Sequence, residues 1–203
     1  IRWDEQSIQN SDPSFRESLG WGKGCFVVLV VGRFEPEKGQ GYLLDALATV
    51  VHERPLIRCL FVGDGQDRNK LEAQAKQLQL EKNVRFAGFQ KEVNKFLGIG
   101  DVFCMPSLSE GLPYALLEAC VYRLPFLVTK VGDMAKLLLD GKNAILVPPR
   151  NSKALADGLI WLYDHPEERV RLGNAAYEYL SKELSLDQMI SKTLEAYHNK
   201  TSL

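Results

Sequence analysis

The chain has 203 residues, 45% of them hydrophobic and 25% charged, and 25 Lys and Arg side chains nearly balance 26 Asp and Glu for a formal charge of -1. This length suits one domain or two small ones, and the composition is that of an ordinary globular protein. The balanced charge gives no general electrostatic reason to expect binding to nucleic acid or to an anionic membrane, so any anion site must be local.

The first 24 residues are polar and read as a lead-in with one short helix near 13–19. Short runs rich in Val, Ile and Phe then recur at 25–31, 57–62, 84–87, 102–105, 125–129 and 144–147. Runs of this kind are typical of strands that are covered on both faces. Between them lie helix-length segments in which residues such as Leu43, Leu44 and Leu47 share one face.

This alternation predicts an α/β fold with a doubly wound, six-stranded parallel sheet of the Rossmann-like kind. After residue 150 the strand runs stop, and Asn151, Ser152 and Pro166 mark the starts of helices over 153–163 and 166–180. A last amphipathic helix is predicted over 186–198. We therefore divide the chain into a lead-in at 1–24, a ligand-binding domain at 25–182 and a C-terminal helical segment at 183–203.

The four cysteines are widely spaced and form neither a C-x-x-C pair nor a cluster with histidine. We expect them to be structural thiols in a reducing compartment, and we expect no metal site. No run approaches the roughly 18 apolar residues of a membrane span, and the first residues do not resemble a signal peptide. Together these features predict a cytoplasmic location.

Ligands of open α/β sheets bind at the carboxyl ends of the strands, so the loops after the strands matter most. The first strand is followed by V-V-G-R-F-E-P-E-K-G, in which Gly32 allows a turn and Arg33 and Lys38 lie five residues apart. An arginine and a lysine on such a loop before a helix are suited to hold a diphosphate. The alternative is two solvated basic residues beside Glu35 and Glu37.

Two further glycine turns follow strands. The sequence F-V-G-D-G-Q-D after the second strand is not the dinucleotide fingerprint, because Arg68 stands where the third glycine is needed. The turn at Gly63 therefore has a structural role or leaves room for a ligand. The third strand ends at Gly88 and Phe89, where backbone groups are free to face a flat ligand.

The fourth strand is followed by S-L-S-E-G-L-P-Y-A-L-L-E-A-C. Pro113 is predicted as the first helical residue, which leaves the N–H groups of Tyr114 and Ala115 facing the crevice. Glu110 lies just ahead of this helix start. Glu118 lies among apolar residues, where a carboxylate is costly unless it is hydrogen-bonded, and two adjacent hydroxyls would satisfy it; the alternative is a salt bridge or an exposed position.

At this point the motifs carry a resemblance. G-R-F-x-x-x-K-G, F-V-G-D-G, V-R-F-A-G, S-x-x-E-G-L-P-Y-A-L-L-E-A, P-F-L-V-T-x-V-G and D-G-K-N-A-I-L-V-P, in this order, resemble the C-terminal half of group-one (family-four) retaining glycosyltransferases with the GT-B fold. The resemblance covers about residues 25–182. It implies a hexosyltransferase whose nucleoside-diphosphate sugar, a UDP-sugar or GDP-sugar, binds this domain as substrate, with no metal or other cofactor.

The resemblance also implies roles for single residues. Arg33 and Lys38 would contact the donor diphosphate, Glu110 the transferred sugar, and Glu118 both ribose hydroxyls. Gly88 and Phe89 would lie beside the base. Taken together, the implied catalytic residues are Arg33, Lys38 and Glu110, and the implied donor-binding set is Gly32, Arg33, Lys38, Gly63, Gly88, Phe89, Glu110, Gly111, Leu112, Pro113, Tyr114 and Glu118.

The acceptor would bind a separate N-terminal domain that this chain lacks, to which the C-terminal helix would cross. Peripheral membrane association would come only through that half. We expect the domain to bind donor but to turn over little alone. Asp133 and Lys136 stand where the family has Gly and Glu, and Arg123 replaces a glycine. These departures leave open a non-catalytic nucleotide-sugar-binding or partner-binding module as the alternative; an epimerase or phosphorylase is disfavoured.

Overall fold

The computed structural model describes residues 14–22, 24–185 and 188. One parallel sheet runs through this part of the chain, with strands in the order β3-β2-β1-β4-β5-β6. The strands are β1 (Phe26–Val31), β2 (Ile57–Val62), β3 (Val84–Gly88), β4 (Val102–Met105), β5 (Phe126–Thr129) and β6 (Ile145–Val147). The predicted six-stranded, doubly wound parallel sheet is confirmed.

Eight α-helices lie within the described residues: α1 (Ser14–Ser18), α2 (Gln40–Glu53), α3 (Arg68–Gln77), α4 (Asn94–Leu97), α5 (Tyr114–Val121), α6 (Met134–Leu137), α7 (Ser152–Asp164) and α8 (Pro166–Glu183). The last two agree with the predicted helices, and Asn151 caps α7 by accepting a hydrogen bond from the Ala154 amide at 2.9 Å. The predicted helix at 186–198 lies outside the described residues apart from residue 188. None of the described helices combines the length and apolar character that crossing a bilayer requires.

Helices cover both faces of the sheet, and β1 shows why its residues are apolar without interruption. Val28 and Val30 belong to the core layer beneath α2, α3 and α7. Val27 and Leu29 belong to the layer beneath α5 and α8. Side chains alternate between the two faces of a strand, so a strand that is buried on both sides needs an apolar residue at every position.

The strand order places a topological switch point between β1 and β4. The chain passes from β1 outward to β2 and β3, returns to β4 and continues to β5 and β6. Helix α2, which follows β1, packs on one face of the sheet, and α5, which follows β4, packs on the other. The loops that leave these two strands therefore diverge, and the crevice between them is where such sheets bind ligands.

Candidate functional site

The loop from β1 to α2 is held rigidly against the rest of the sheet. Phe34 is fully buried and contacts the rings of Phe61 and Phe86 edge-on. The Gln40 side-chain amide donates to the Arg33 carbonyl at 2.7 Å. A 3-10 turn at Pro36–Lys38 precedes α2, which begins at Gln40. The loop therefore presents its basic side chains from a fixed backbone.

This loop also touches the loop that follows β4. Gly39 has a φ of 66°, and a Cβ at this position would lie 2.1 Å from the Pro106 carbonyl oxygen, so only glycine fits. The Leu108 amide donates to the Glu37 carbonyl at 2.7 Å. The two loops on either side of the switch point are thus joined through their backbones.

Lys38 and Glu110 meet across this junction. Lys38 Nζ lies 2.7 Å from Glu110 Oε1, and the Glu110 side chain is only 7% exposed. The Ser107 hydroxyl donates to the same oxygen at 2.7 Å. A charge-assisted pair with this little solvent access is held more firmly than a surface salt bridge.

Arg33 differs from Lys38 in its surroundings. Its side chain is 72% exposed and its guanidinium lies 3.8 Å from Glu37 Oε1. Glu35 accepts instead from the Gln66 side chain at 2.6 Å. The alternative of two solvated basic residues thus describes Arg33 in this state but not Lys38, whose partner is Glu110.

Helix α5 starts one residue later than predicted. Pro113 has a φ of -75° and a ψ of 130°, so it is the N-cap in an extended conformation and Tyr114 is the first helical residue. The N–H groups of Tyr114 and Ala115 in the first turn have no acceptor within the helix, whereas that of Leu116 donates to the Pro113 carbonyl at 3.1 Å. They remain available to an anion or a sugar oxygen, as predicted from the sequence.

A cleft of about 410 Å³ opens between the two loops. It brings together six of the predicted site residues, namely Gly32, Arg33, Lys38, Glu110, Pro113 and Tyr114. Gln40, Met105 and Ser107 also line it and were not predicted. One sequence feature could have pointed to Ser107: it lies three residues before Glu110 on the same loop.

The other predicted residues lie around this cleft and do not line it. Gly111 and Leu112 are exposed residues ahead of α5. Gly63 packs so closely on the residue after β1 that a Cβ would lie 1.9 Å from the Gly32 carbonyl oxygen, and the Gly63 amide donates to the Gly88 carbonyl at 2.9 Å. Phe89 is 76% exposed beside Gly88. The donor-binding roles of these residues stay predictions.

Arg68, which disrupts the dinucleotide fingerprint, has a partner on each side. Its guanidinium bonds Asp64 and Glu72, both at 2.9 Å, and lies 3.2 Å from the position of a Cβ on Gly88. The Gly65 amide and the Arg68 guanidinium together lower the pKa of Asp64. The ion pair between Arg68 and Asp64 fixes the start of α3 next to the tip of β3.

Glu118 has neither a hydrogen bond nor an ion pair with any residue that the structure describes. It is half-buried on α5, and burial raises the pKa of its carboxyl group. Burial, with a smaller contribution from the Glu118 charge, also raises the pKa of Tyr122. Of the predicted alternatives, neither a salt bridge nor a fully exposed side chain is found, and the carboxylate is free to accept from a ligand.

Of the departures from the family pattern, Asp133 and Lys136 are exposed and Arg123 is half-buried. Lys136 pairs with Asp133 at 2.7 Å, and neither residue lines the cleft. Arg123 follows the end of α5 with a φ of 53°, the left-handed conformation that a glycine would adopt without strain, and its guanidinium lies 4.3 Å from the centre of the Tyr177 ring. The replacement of the family's glycine by Arg123 thus lies at a helix end and outside the cleft lining.

Within the described part of the chain, no three His, Cys, Asp or Glu side chains are grouped so that they could hold a metal ion. The expectation that no metal takes part stays a prediction.

Comparison with known proteins connects this site to a family. A sequence profile described as "Glycosyl transferases group 1" matches residues 11–179. The alpha-D-kanosaminyltransferase of Streptomyces kanamyceticus is 32% identical over 152 residues, which cover 74% of this chain and 39% of that protein. The chain spans about half the length of most of the curated relatives it matches.

Solved structures agree on the fold. HepE of Anabaena, crystallised in complex with UDP-glucose, superposes with a TM-score of 0.82 at 27% identity, covering 95% of this chain and 55% of that one. The C-terminal domain of the group 1 glycosyltransferase LpcC from Francisella tularensis superposes with a TM-score of 0.79 at 23% identity, covering 90% of this chain and 98% of that one. The profile match, which spans most of the sequence, shows that the chain belongs to the group 1 glycosyltransferase family.

Proposed function

We propose that this chain is the donor-binding domain of a retaining hexosyltransferase whose donor is a nucleoside-diphosphate sugar. The observation that carries the proposal is the contact between Lys38 and Glu110 at the start of α5, in the switch-point cleft. This cleft offers a cation, a carboxylate and free backbone N–H groups within one small volume. A sugar diphosphate needs these three kinds of partner.

The diphosphate would lie between the β1–α2 loop and α5. Lys38 supplies a point charge, and the exposed Arg33 guanidinium is free to swing from Glu37 onto phosphate oxygens. The N–H groups at the start of α5 add the positive end of the helix dipole. All three act most strongly on the charge that develops on the diphosphate as the glycosidic bond breaks, so they favour its departure.

The sugar and the nucleoside would take the remaining predicted residues. Glu110, with the backbone of 111–114, accepts hydroxyls of the transferred hexose. The Glu118 carboxylate, which has no partner among the described residues, accepts hydrogen bonds from both ribose hydroxyls, and the tip of β3 at Gly88 and Phe89 lies beside the base. The complexes of HepE with UDP and with UDP-glucose support uracil as the first base to test.

We propose that the acceptor binds an N-terminal domain, that transfer proceeds with retention and without a metal ion, and that the protein is cytoplasmic. Any association with membranes would come through that other domain. The chain alone would then bind donor and turn over little.

The second candidate is a non-catalytic nucleotide-sugar-binding or partner-binding module. It was suggested by Asp133 and Lys136, which depart from the family pattern. These two side chains pair with each other at the surface and leave the cleft lining unchanged. The cleft therefore favours the transferase. The two functions differ in whether the chain, together with an N-terminal domain, transfers sugar.

Calorimetry with UDP, GDP and ADP, each with and without its sugar, tests the proposal. We expect one base to bind, and Lys38→Ala to weaken that binding about tenfold or more because a charge-assisted contact is lost. Lys153→Ala is the matched control, since Lys153 forms an exposed ion pair with Asp157 on α7. A folded wild-type chain that binds none of the nucleotides contradicts the proposal.

A further inference from the structure

We propose that Ser107 is a positioning residue for Glu110 and that it lets the site distinguish a sugar nucleotide from the bare nucleotide. The inference rests on the proposed function. The Ser107 hydroxyl fixes one oxygen of the Glu110 carboxylate, and the other oxygen is left to accept a hydrogen bond from a hydroxyl of the transferred sugar.

The two contacts of the Glu110 carboxylate go to the same atom. Ser107 Oγ donates to Oε1 at 2.7 Å, and Lys38 Nζ reaches that same Oε1 at 2.7 Å. Among the described residues, Oε2 has no hydrogen-bond partner. A carboxylate has about four acceptor positions, so Oε2 keeps its full capacity for a ligand.

Ser107 and Lys38 are not equivalent holders of this carboxylate. The proposed function gives Lys38 a second partner, the donor diphosphate, which competes for its ammonium protons. The proposed function gives Ser107 no such competitor, and the residue is almost completely buried. When the diphosphate draws Lys38 away, the Ser107 hydroxyl remains to keep Oε1 in place.

Ser107 is itself fixed by β5. The buried Thr129 hydroxyl at the end of that strand donates to the Ser107 carbonyl. Gly132, three residues further on, packs on the Glu110 backbone so closely that a Cβ would lie 1.6 Å from the Glu110 carbonyl oxygen. The end of β5 therefore supports both the backbone of Glu110 and the residue that orients its side chain.

This arrangement predicts a selective effect. Loss of the Ser107 hydroxyl would loosen the Glu110 carboxylate, whose proposed contact with the donor is to the sugar alone, and would leave the donor's contacts through its diphosphate and ribose intact. If Ser107 merely supported the loop, its substitution would weaken the binding of both ligands equally. The affinity ratio between a sugar nucleotide and its nucleotide separates these two roles.

The test uses calorimetry on the whole chain with the pair that the wild type binds best among UDP and UDP-glucose, GDP and GDP-mannose, and ADP and ADP-glucose. Ser107→Ala should weaken the sugar nucleotide about tenfold, the effect of one hydrogen bond to a charged group. The bare nucleotide should change less than about twofold. Ser109→Ala is the matched control, an exposed serine on the same loop, and should change neither.

Two further variants keep the inference falsifiable. Ser107→Cys keeps a similar side-chain volume but carries a weaker hydrogen-bond donor. Its ratio of affinities for the sugar nucleotide and the bare nucleotide should therefore lie between those of the wild type and Ser107→Ala. This variant also provides the test if the alanine variant fails to fold. In a Glu110→Ala background, Ser107→Ala should add little to the loss of affinity, because the side chain that Ser107 positions is already gone. Equal weakening of the binding of both ligands, or full additivity with Glu110→Ala, overturns the inference while the proposed function stands. A folded wild-type chain that binds none of the six ligands overturns both.

Discussion

Lys38 and Glu110 lie 72 residues apart in sequence, yet their side chains meet at 2.7 Å with the carboxylate almost fully shielded from water. Lys38→Met should lower the free energy of unfolding by about 2–3 kcal/mol, because it leaves a shielded carboxylate without its cation. Glu110→Gln should cost less, about 1 kcal/mol, since the amide can still bond Ser107. Urea unfolding of both variants and of the double variant measures the coupling between them.

The double variant should be more stable than the sum of the two single losses implies, by about 1 kcal/mol or more. The exposed pair of Lys153 and Asp157 gives the comparison. Its coupling should stay below about 0.5 kcal/mol, as is usual for exposed pairs on one helix. Equal coupling in the two pairs would show that shielding of Glu110 contributes nothing.

Glu118 should make stability depend on pH. Burial raises the pKa of this carboxyl group in the folded chain above its value in the unfolded chain. As pH rises, the unfolded chain therefore loses its proton first, and stability falls between the unfolded and the folded pKa. Glu118→Gln should remove this loss, so the variant should gain relative stability at neutral pH and match the wild type below about pH 4. Urea unfolding between about pH 3.5 and 8 measures the difference.

The same substitution should weaken binding of the bare nucleotide about tenfold or more, because the proposed ribose contacts are hydrogen bonds to a charged group. Calorimetry with the preferred nucleoside diphosphate checks this effect. Glu178→Gln, on an exposed position of α8, controls for replacing a helical glutamate. A variant that gained stability at neutral pH and kept its affinity would rule out the ribose role.

Gly132 and Gly141 form a pair that isolates the contact with Glu110. Both have a left-handed backbone, with φ of 55° and 68°, but a Cβ on Gly132 would strike the Glu110 carbonyl oxygen whereas nothing lies within 4 Å of one on Gly141. Gly141→Ala should lower the free energy of unfolding by about 1 kcal/mol. Gly132→Ala should cost about 3 kcal/mol, because the Glu110 loop must also move.

Thermal or urea unfolding measures these stabilities, and the affinity for the sugar nucleotide reports whether the Glu110 loop has moved. Only Gly132→Ala should weaken that binding. If both alanine variants lost the same stability and kept the same affinity, the close approach of Gly132 to Glu110 would have no energetic consequence.

The four cysteines should be inert in the folded chain. All are free and buried, and burial raises the pKa of Cys120 to about 12 and that of Cys59 and Cys104 far above the usual range. Because the thiolate is the reactive form, an aromatic disulfide reagent at about pH 8 should label the native chain slowly and all four thiols in guanidinium chloride. Rapid labelling of a native thiol would contradict the burial of these side chains.

The sequence allowed the strands and long helices to be predicted because their burial leaves a direct pattern. Val27 through Val30 are apolar without interruption since each faces a covered side of the sheet. Helices α4 and α6 were missed because four residues do not complete an amphipathic repeat. Pro113 was assigned to the helix because proline fixes φ, which helical and extended residues share, whereas its ψ is set by the fold.

The site could be predicted only in part for a similar reason. Lys38 and Glu110 were each identified from their positions after a strand, but their contact depends on β1 lying next to β4, and apolar runs carry no strand order. Ser107 was missed because its importance lies in the direction of one hydroxyl. The sequence thus indicated which loops matter, and the fold determined which atoms meet.

The switch point is also where the two halves of the sheet are joined. β1 aligns with β2 over six residue pairs but with β4 over only two, Val28 with Val102 and Leu29 with Phe103. A donor that touches both the Lys38 loop and the Glu110 loop would bridge this short pairing and act as a clamp between the two halves of the sheet. Since a ligand stabilises the state that binds it, hydrogen exchange of the β4 amides should slow most when the nucleotide sugar is present.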